Sequence, residues 1–87
     1  MSRAPKHHDI KILPQYYKQI FRRPGKGYKR FELWKDDRDY QIGDSVTLRE
    51  WDPEHGYTGS EITVGIIYVL RNCLEYGLMD GYCIFGW

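Results

Sequence analysis

The chain has 87 residues, enough for one domain, and 41% of them are hydrophobic. A domain of this size buries only about 60% of the surface that its unfolded chain exposes, so the core must be small. No run of about 18 apolar residues occurs, and no apolar segment follows the basic N-terminus, so the sequence predicts neither a membrane span nor a secretory signal. We expect a single cytoplasmic domain over residues 1–87, with residues 1–7 flexible.

The formal net charge of +1 conceals a divided chain. Residues 1–35 hold ten Lys and Arg against two acidic residues, which gives +8, whereas residues 36–87 hold three against ten, which gives −7. This asymmetry favours a surface that faces a polyanion. The acidic residues of the second part would equally suit a basic protein partner.

The first part of the chain predicts a strand followed by a helix. Apolar and polar residues alternate within residues 8–13, as in a half-buried strand. Pro14 suits the first turn of a helix, and an apolar stripe with helical spacing follows it. The stripe consists of Tyr16, Tyr17, Ile20 and Phe21.

A turn over residues 24–27 ends this helix. Its proline and two glycines allow the backbone to approach a ligand closely. Basic residues surround it: Arg22, Arg23, Lys26, Lys29 and Arg30. Positive charge here suits a phosphate group, and it equally suits the C-terminal end of a helix, whose dipole it complements.

Residues 28–35 predict a second strand. Phe31 and Leu33 lie on one face, and Arg30, Glu32 and Trp34 lie on the other. Further strands are predicted over residues 46–51, 62–70 and 82–87. The strand over 62–70 is expected to be central because it is apolar on both faces near its end. A loop is predicted over 52–59, and an irregular or briefly helical connection over 72–81.

These elements predict an α+β fold, a small mixed β-barrel of five or six strands with one or two helices. Cys73 and Cys83 lack the spacing of a metal or redox motif, so we expect free thiols. The adjacent His7 and His8 have no convergent carboxylate in the sequence. The sequence therefore predicts no metal site and no cofactor.

Three motifs follow one another in the middle of the chain: Gly27-Tyr28-Lys29-Arg30-Phe31-Glu32, residues 35–40 and Gly43-Asp44. In this order they resemble the ASCH domains of the PUA-like superfamily. Further similarity at His8, Lys11, Glu50-Trp51 and Tyr57-Thr58-Gly59 is closest to a small bacterial and phage ASCH-like family of unknown function. It extends over about residues 8–82.

The resemblance implies a β-barrel with a cleft beside the helix and the GxKxxE strand, in which Lys29 and Glu32 face each other and RNA or a nucleotide binds. ASCH domains usually carry an arginine two residues after the glutamate, where this chain has Trp34. The chain thus lacks a planar bidentate donor there and has a stacking surface instead. The neighbouring Lys35 would point to the other face of the strand.

The first functional hypothesis is a binding module for RNA or a nucleotide. Its basic residues would hold phosphate, Lys29 and Glu32 would hydrogen-bond a base or sugar, and Trp34 or Tyr28 would stack on a base. The complete set of predicted contact residues is Arg22, Arg23, Lys26, Gly27, Tyr28, Lys29, Arg30, Glu32 and Trp34.

The second hypothesis is an enzyme, because some ASCH proteins are amidohydrolases that remove the acetyl group of N4-acetylcytidine. In those proteins the resemblance assigns the activity to a lysine and to a threonine three residues later. In this chain Lys29 corresponds to the lysine, and Glu32 occupies the threonine position. Lys29 and Glu32 would then be catalytic and activate water.

A third hypothesis is a phage or bacterial regulator that binds a protein partner through its acidic stretch, from Asp36 to Glu61. Structural roles compete with all three hypotheses, because Lys29 and Glu32 can form an exposed ion pair and Trp34 can belong to the core. The oligomeric state stays open.

Overall fold

The computed structural model describes residues 3–21 and 27–87. Within these ranges the chain forms six strands, one short α-helix and two short 3-10 helices. In chain order they are β1 (His7–Ile12), α1 (Pro14–Tyr17), η1 (Lys18–Ile20), β2 (Phe31–Lys35), β3 (Ser45–Asp52), β4 (Gly56–Gly65), β5 (Tyr68–Leu70), η2 (Leu74–Tyr76) and β6 (Tyr82–Gly86).

The strands form two open three-stranded sheets. The first has the order β1-β3-β4, with β1 parallel and β4 antiparallel to β3. The second has the order β2-β6-β5 and is antiparallel throughout. Within the described ranges no edge strand of one sheet pairs with an edge strand of the other, so the ring of hydrogen bonds that defines a barrel is not closed. The predicted β-barrel was wrong, and the fold is α+β-like and mostly sheet.

The barrel prediction failed partly because the expected strand over residues 62–70 is two strands in different sheets. Ile66 and Ile67 lead from β4 to β5. The Ile66 amide donates to the Asp44 carbonyl at 2.8 Å, whereas the Ile67 amide donates to the Gly86 carbonyl at 2.9 Å. Neither β4 nor β5 is central, because each lies at the edge of its sheet. The apolar run continues through the break, so periodicity alone does not reveal it.

The predicted loop over residues 52–59 is shorter in the structure. Its chain reverses direction over Pro53 to His55, where the Glu54 amide donates to the Asp52 side chain at 2.8 Å. Gly56 then opens β4 with φ at +80°, a conformation that glycine adopts without steric cost. The Tyr-Thr-Gly sequence therefore lies within β4.

The helical segment after β1 is short. The Leu13 carbonyl accepts hydrogen bonds from the Tyr16 and Tyr17 amides, and a 3-10 turn extends the segment to Ile20. Tyr17 and Ile20 of the predicted stripe are buried, whereas Tyr16 is about half exposed. No helix in residues 3–21 and 27–87 has the length and apolar character needed to span a membrane.

One apolar core draws residues from both sheets and from the helical segment. Its buried members are Ile10, Ile12, Tyr17, Ile20, Tyr40, Val46, Leu48, Ile66, Cys83 and Phe85. The Tyr40 ring stacks on Phe85 with centroids 4.9 Å apart. Cys73 and Cys83 are free thiols, as expected from the sequence.

Candidate functional site

A cavity of about 580 Å³ lies between the helical segment and β2. This volume falls within the range of about 300–1,000 Å³ that is typical of small-molecule sites. The walls are formed by Tyr16, Gln19, Gly27, Tyr28, Lys29, Phe31, Glu32 and Leu33. Four predicted contact residues, Gly27, Tyr28, Lys29 and Glu32, are therefore brought together in one cavity.

Lys29 and Glu32 form an ion pair in the wall of this cavity, with Lys29 Nζ against Glu32 Oε1. Their side chains are only 11% and 8% exposed, so this is not the exposed pair that the sequence left open. Glu32 pairs in register with Phe85 of β6, which is fully buried, and cross-strand partners share a face of the sheet. The Lys29 amide donates to the Gln19 carbonyl and so attaches this segment to η1.

Burial raises the pKa of Glu32, while the hydrogen bond and the charge of Lys29 act in the opposite direction. The net effect is that the carboxyl keeps its proton to a higher pH than an exposed glutamate does. A carboxyl of this kind accepts hydrogen bonds when ionised and donates one when protonated.

The residues of β2 divide between two faces in the grouping that alternation predicts, and the face with Glu32 and Trp34 is the buried one. Phe31 and Leu33 are each 50% exposed, whereas Glu32 is buried and Trp34 is half-buried against the core. Alternation did not indicate which face is buried, and the side chains of Phe31 and Leu33 form a wall of the cavity. A strand pattern identifies the two faces but not which one a cavity occupies.

Exposed aromatic side chains border the Lys29–Glu32 pair. Tyr16 and Tyr28 are 47% and 46% exposed, and Lys29 Nζ lies 5.4 Å from the centroid of the Tyr16 ring. Arg30 is placed differently from the prediction: it lies outside the cavity wall, and its Nε donates to the main-chain oxygen of Trp87 at 2.8 Å.

Trp34 belongs to a neighbouring cavity of about 280 Å³ rather than to the one that holds Lys29. Glu32 lines both, so it marks their junction. Trp51 lines the second cavity as well, and Lys11 Nζ lies 4.0 Å from the centroid of its ring. Arg22, Arg23 and Lys26, the predicted phosphate contacts, lie outside the described residues.

The sequence of the chain matches a family model. A family described as Domain of unknown function (DUF3850) matches residues 7–87. The chain belongs to this family. None of the curated proteins matches the chain. The DUF3850 region contains both sheets and every residue of the cavity wall.

Tyr16 and Gln19 of this DUF3850 chain line the cavity but were not predicted from the sequence as candidate site residues. They are three residues apart on the helical segment, a spacing that places side chains on the same face. Both come from a segment well separated in sequence from the GxKxxE motif. The one sequence signal for this part of the site is the polar Gln19 beside the apolar stripe. That signal does not indicate which strand the helical segment packs against.

A second polar cluster, around Asp44, was also missed. This carboxylate is 1% exposed and accepts hydrogen bonds from Arg3, from His8 Nε2 at 2.9 Å and from the amides of Lys6 and Gln41. Burial alone would raise the pKa of Asp44, but these donors hold it well below its usual value of 3.8. Arg3, which lies in the segment predicted to be flexible, thus bonds to a buried group. Asp44 has the environment of a structural carboxylate.

Proposed function

We propose that this chain is an RNA- or nucleotide-binding module that holds a base in the cavity between the helical segment and β2. The observation that carries the proposal is the Lys29–Glu32 pair, sequestered in the wall of a cavity of about 580 Å³. An ammonium donates and a carboxylate accepts, so together they match the mixed donor and acceptor edge of a base.

Aromatic side chains support the same proposal. Tyr16, Tyr28 and Phe31 are each about half exposed and line the cavity. Stacking of a base on such a ring contributes about 1–3 kcal/mol and tolerates any base. The ASCH resemblance, with its RNA or nucleotide ligand, and a cytoplasmic location form part of this proposal.

Phosphate binding is assigned to Arg22, Arg23 and Lys26. Lys26 directly precedes Gly27 in the sequence, and Gly27 lines the cavity. Lys29 does not serve as the main phosphate contact, because its charge is already opposed by Glu32. The part of the affinity that comes from phosphate contacts should fall steeply with added salt.

Titration of fluorescently labelled single-stranded RNA at low salt tests the proposal. Lys29→Ala and Glu32→Gln should each weaken binding by about 10- to 100-fold, because each removes charged hydrogen bonds. Arg22→Ala/Arg23→Ala should reduce the dependence on salt. Lys35→Ala is the matched control, because Lys35 is exposed on β2 and lies outside this cavity wall. Binding that all of these variants leave unchanged would refute the surface proposed here.

An amidohydrolase that acts on N4-acetylcytidine is the second candidate. The observation that favours it is the raised pKa of Glu32 beside Lys29, since strongly buried, perturbed carboxyls are common at catalytic sites. Glu32 would accept a proton from water as the water oxygen adds to the acetyl carbonyl. It would return that proton to N4 as the bond between the carbonyl carbon and N4 breaks, which gives cytidine and acetate. Incubation with N4-acetylcytidine and chromatography of the nucleosides tests this candidate. We expect the wild type to produce cytidine and Glu32→Gln to produce none. If the wild type produces no cytidine, or if Glu32→Gln produces as much, the candidate is excluded.

A protein partner for the acidic stretch receives less support. Asp36 pairs with Arg71 at 2.7 Å, Asp44 with Arg3 at 2.9 Å and Glu61 with Arg49 at 3.3 Å. Their charges are therefore largely compensated within the chain. A pull-down tests this hypothesis with the wild type and with a variant in which the exposed carboxylates outside these three pairs are reversed in charge. A protein partner that the wild type recovers and the variant does not would support it.

A further inference from the structure

Three cavities adjoin one another along β2, the first beside the helical segment and the other two beside β1. Together they form one groove. The cavity of about 580 Å³ shares Tyr16, Glu32 and Leu33 with the one of about 280 Å³. The second shares Lys11 and Trp34 with a third of about 270 Å³. The candidate site thus continues beyond the pocket that holds Lys29.

The groove follows from the open architecture. β1 and β2 are edge strands of different sheets, and among the described residues they do not pair with each other. Residues of both strands line the second cavity, including Ile12 of β1 and Trp34 of β2. In a closed barrel hydrogen bonds would occupy this space, and here it is free to hold a ligand.

Aromatic surface lies along the second cavity. Trp34 and Trp51 line it, and both are only partly exposed. Trp34 also packs against the core. Lys11 Nζ, 4.0 Å from the Trp51 ring centroid, adds a cation beside the stacking surface.

Three cations lie in the wall of the third cavity, Lys11, Arg38 and Arg49, beside the carboxylate of Asp9. The Arg49 guanidinium is already paired, because it lies 3.1 Å from Asp9 Oδ1 and 3.3 Å from Glu61 Oε1. Arg38 Nε lies 4.0 Å from Asp37 Oδ1, and Arg38 Nη1 donates to the Asp9 carbonyl. Lys11 makes no ion pair with any of the described residues, so its charge is the one most available to a phosphate group.

We propose that the groove binds a single-stranded nucleic acid segment of at least two nucleotides. One base occupies the Lys29–Glu32 cavity, the next lies against Trp34 and Trp51, and a phosphate lies near Lys11 and Arg38. This inference rests on the proposed function and deepens it by naming the ligand class. A base can stack on these rings only when it is unpaired, so a single strand is bound and a duplex is not.

Competition fluorescence anisotropy tests the inference with a labelled single-stranded RNA hexamer, the same sequence as a duplex, and the four free nucleoside monophosphates. Trp51→Ala should weaken hexamer binding by about 5- to 150-fold, the range expected for one lost stack, and change monophosphate affinity less than about twofold. Lys11→Gln should reduce the salt slope of hexamer binding by about 0.7, the value for one phosphate contact.

Two controls match these variants. Tyr76→Ala removes an aromatic ring that is 87% exposed on η2, and Lys18→Gln removes an exposed lysine of η1. Neither residue lines the three cavities, so neither variant should change binding. Lys11 is itself exposed, so Lys11→Gln tests the groove without disturbing the fold.

The outcomes separate this inference from the function on which it rests. If Glu32→Gln weakens monophosphate and hexamer binding alike while Trp51→Ala and Lys11→Gln change neither, the extended groove is refuted and the single-nucleotide site stands. A duplex that binds as tightly as the single strand also overturns the inference. If neither the RNA probes nor the monophosphates bind the wild-type chain, the extended groove and the proposed function are both refuted. That result would also be obtained if the groove binds an extended polypeptide.

Discussion

Two buried carboxyls, Glu32 and Asp44, show how a candidate site residue differs from a structural one. Both are less than 10% exposed, yet the pKa of Glu32 is raised and that of Asp44 is lowered. Asp44 accepts hydrogen bonds from two side chains and two main-chain amides. Among the described residues, Lys29 is the one side chain that donates to Glu32. Glu32 therefore keeps acceptor capacity that a ligand in the cavity can use.

Replacement of Asp44 by Asn should destabilise the fold by about 3–5 kcal/mol, because Arg3 and His8 lose the charge that they surround. Chemical denaturation measures this, with the exposed Asp37→Asn expected to change stability by less than about 0.5 kcal/mol. Because the pKa of Asp44 is lowered on folding, its contribution is present above pH 3.8 and lost as the pH falls below that value. A variant whose acid unfolding curve matches that of the wild type would contradict this role.

Glu32 should produce the opposite pH dependence. Its pKa is raised on folding, so the folded chain holds its proton more tightly, and its contribution is full below pH 4.5 and lost as the pH rises through the folded-state pKa. Urea denaturation at pH 4 to 8 should show the wild type losing stability relative to Glu32→Gln as the pH rises. Lys29→Met should move this loss to higher pH, because Lys29 lowers the pKa. Parallel stability curves for wild type and Glu32→Gln would show that the carboxyl is not perturbed.

At the level of elements, alternation and turn residues were sufficient to locate several strands. The predictions over residues 8–13, 46–51 and 82–87 are confirmed by β1, β3 and β6. Alternation did not determine which face of β2 is buried, because Phe31 and Leu33 face a cavity rather than the core. Tertiary packing against β6, which sequence spacing does not encode, decides that orientation.

The same limit applies to the candidate site. Gly27, Tyr28, Lys29 and Glu32 were predictable together because they are close in sequence and the motif resembles that of a known family. Tyr16 and Gln19 of the helical segment line the same cavity. Glu32 also shares a second cavity with residues of β1 and with Trp51 near the end of β3. Their convergence depends on how two open sheets lie against each other, and a strand-length pattern contains no information about that arrangement.

Two leucines on strands test the orientation of β2. Leu33 is 50% exposed, whereas Leu48 of β3 is fully buried. Leu48→Ala should therefore cost about 2–5 kcal/mol, while Leu33→Ala should cost less than about 1 kcal/mol. Denaturant titration of both variants measures the difference. Equal losses would mean that the side chain of Leu33 is buried in the folded protein.

At the scale of the whole molecule, two sheets that do not close into a barrel are held together by one core and by the link between β4 and β5. The Gly43 amide donates to the Ile66 carbonyl at 2.9 Å, and the Ile66 amide donates to Asp44. The Ile67 amide donates to Gly86 in β6. One dipeptide thus bonds to the turn before β3 and to the second sheet. The groove between β1 and β2 is left open at the opposite edges of the two sheets.

This link predicts that the sheets unfold as one unit. Ile66 is 2% exposed and its neighbour Ile67 is 66% exposed, which provides a matched pair of isoleucines in adjacent positions. Ile66→Ala should cost about 2–5 kcal/mol because it leaves a void in the shared core, and Ile67→Ala should cost less than about 1 kcal/mol. Unfolding followed by tryptophan fluorescence and by far-UV circular dichroism should give coincident transitions in the wild type and in Ile66→Ala. Transitions that separate in Ile66→Ala would instead show that each sheet has stability of its own and that the groove between them can widen without global unfolding.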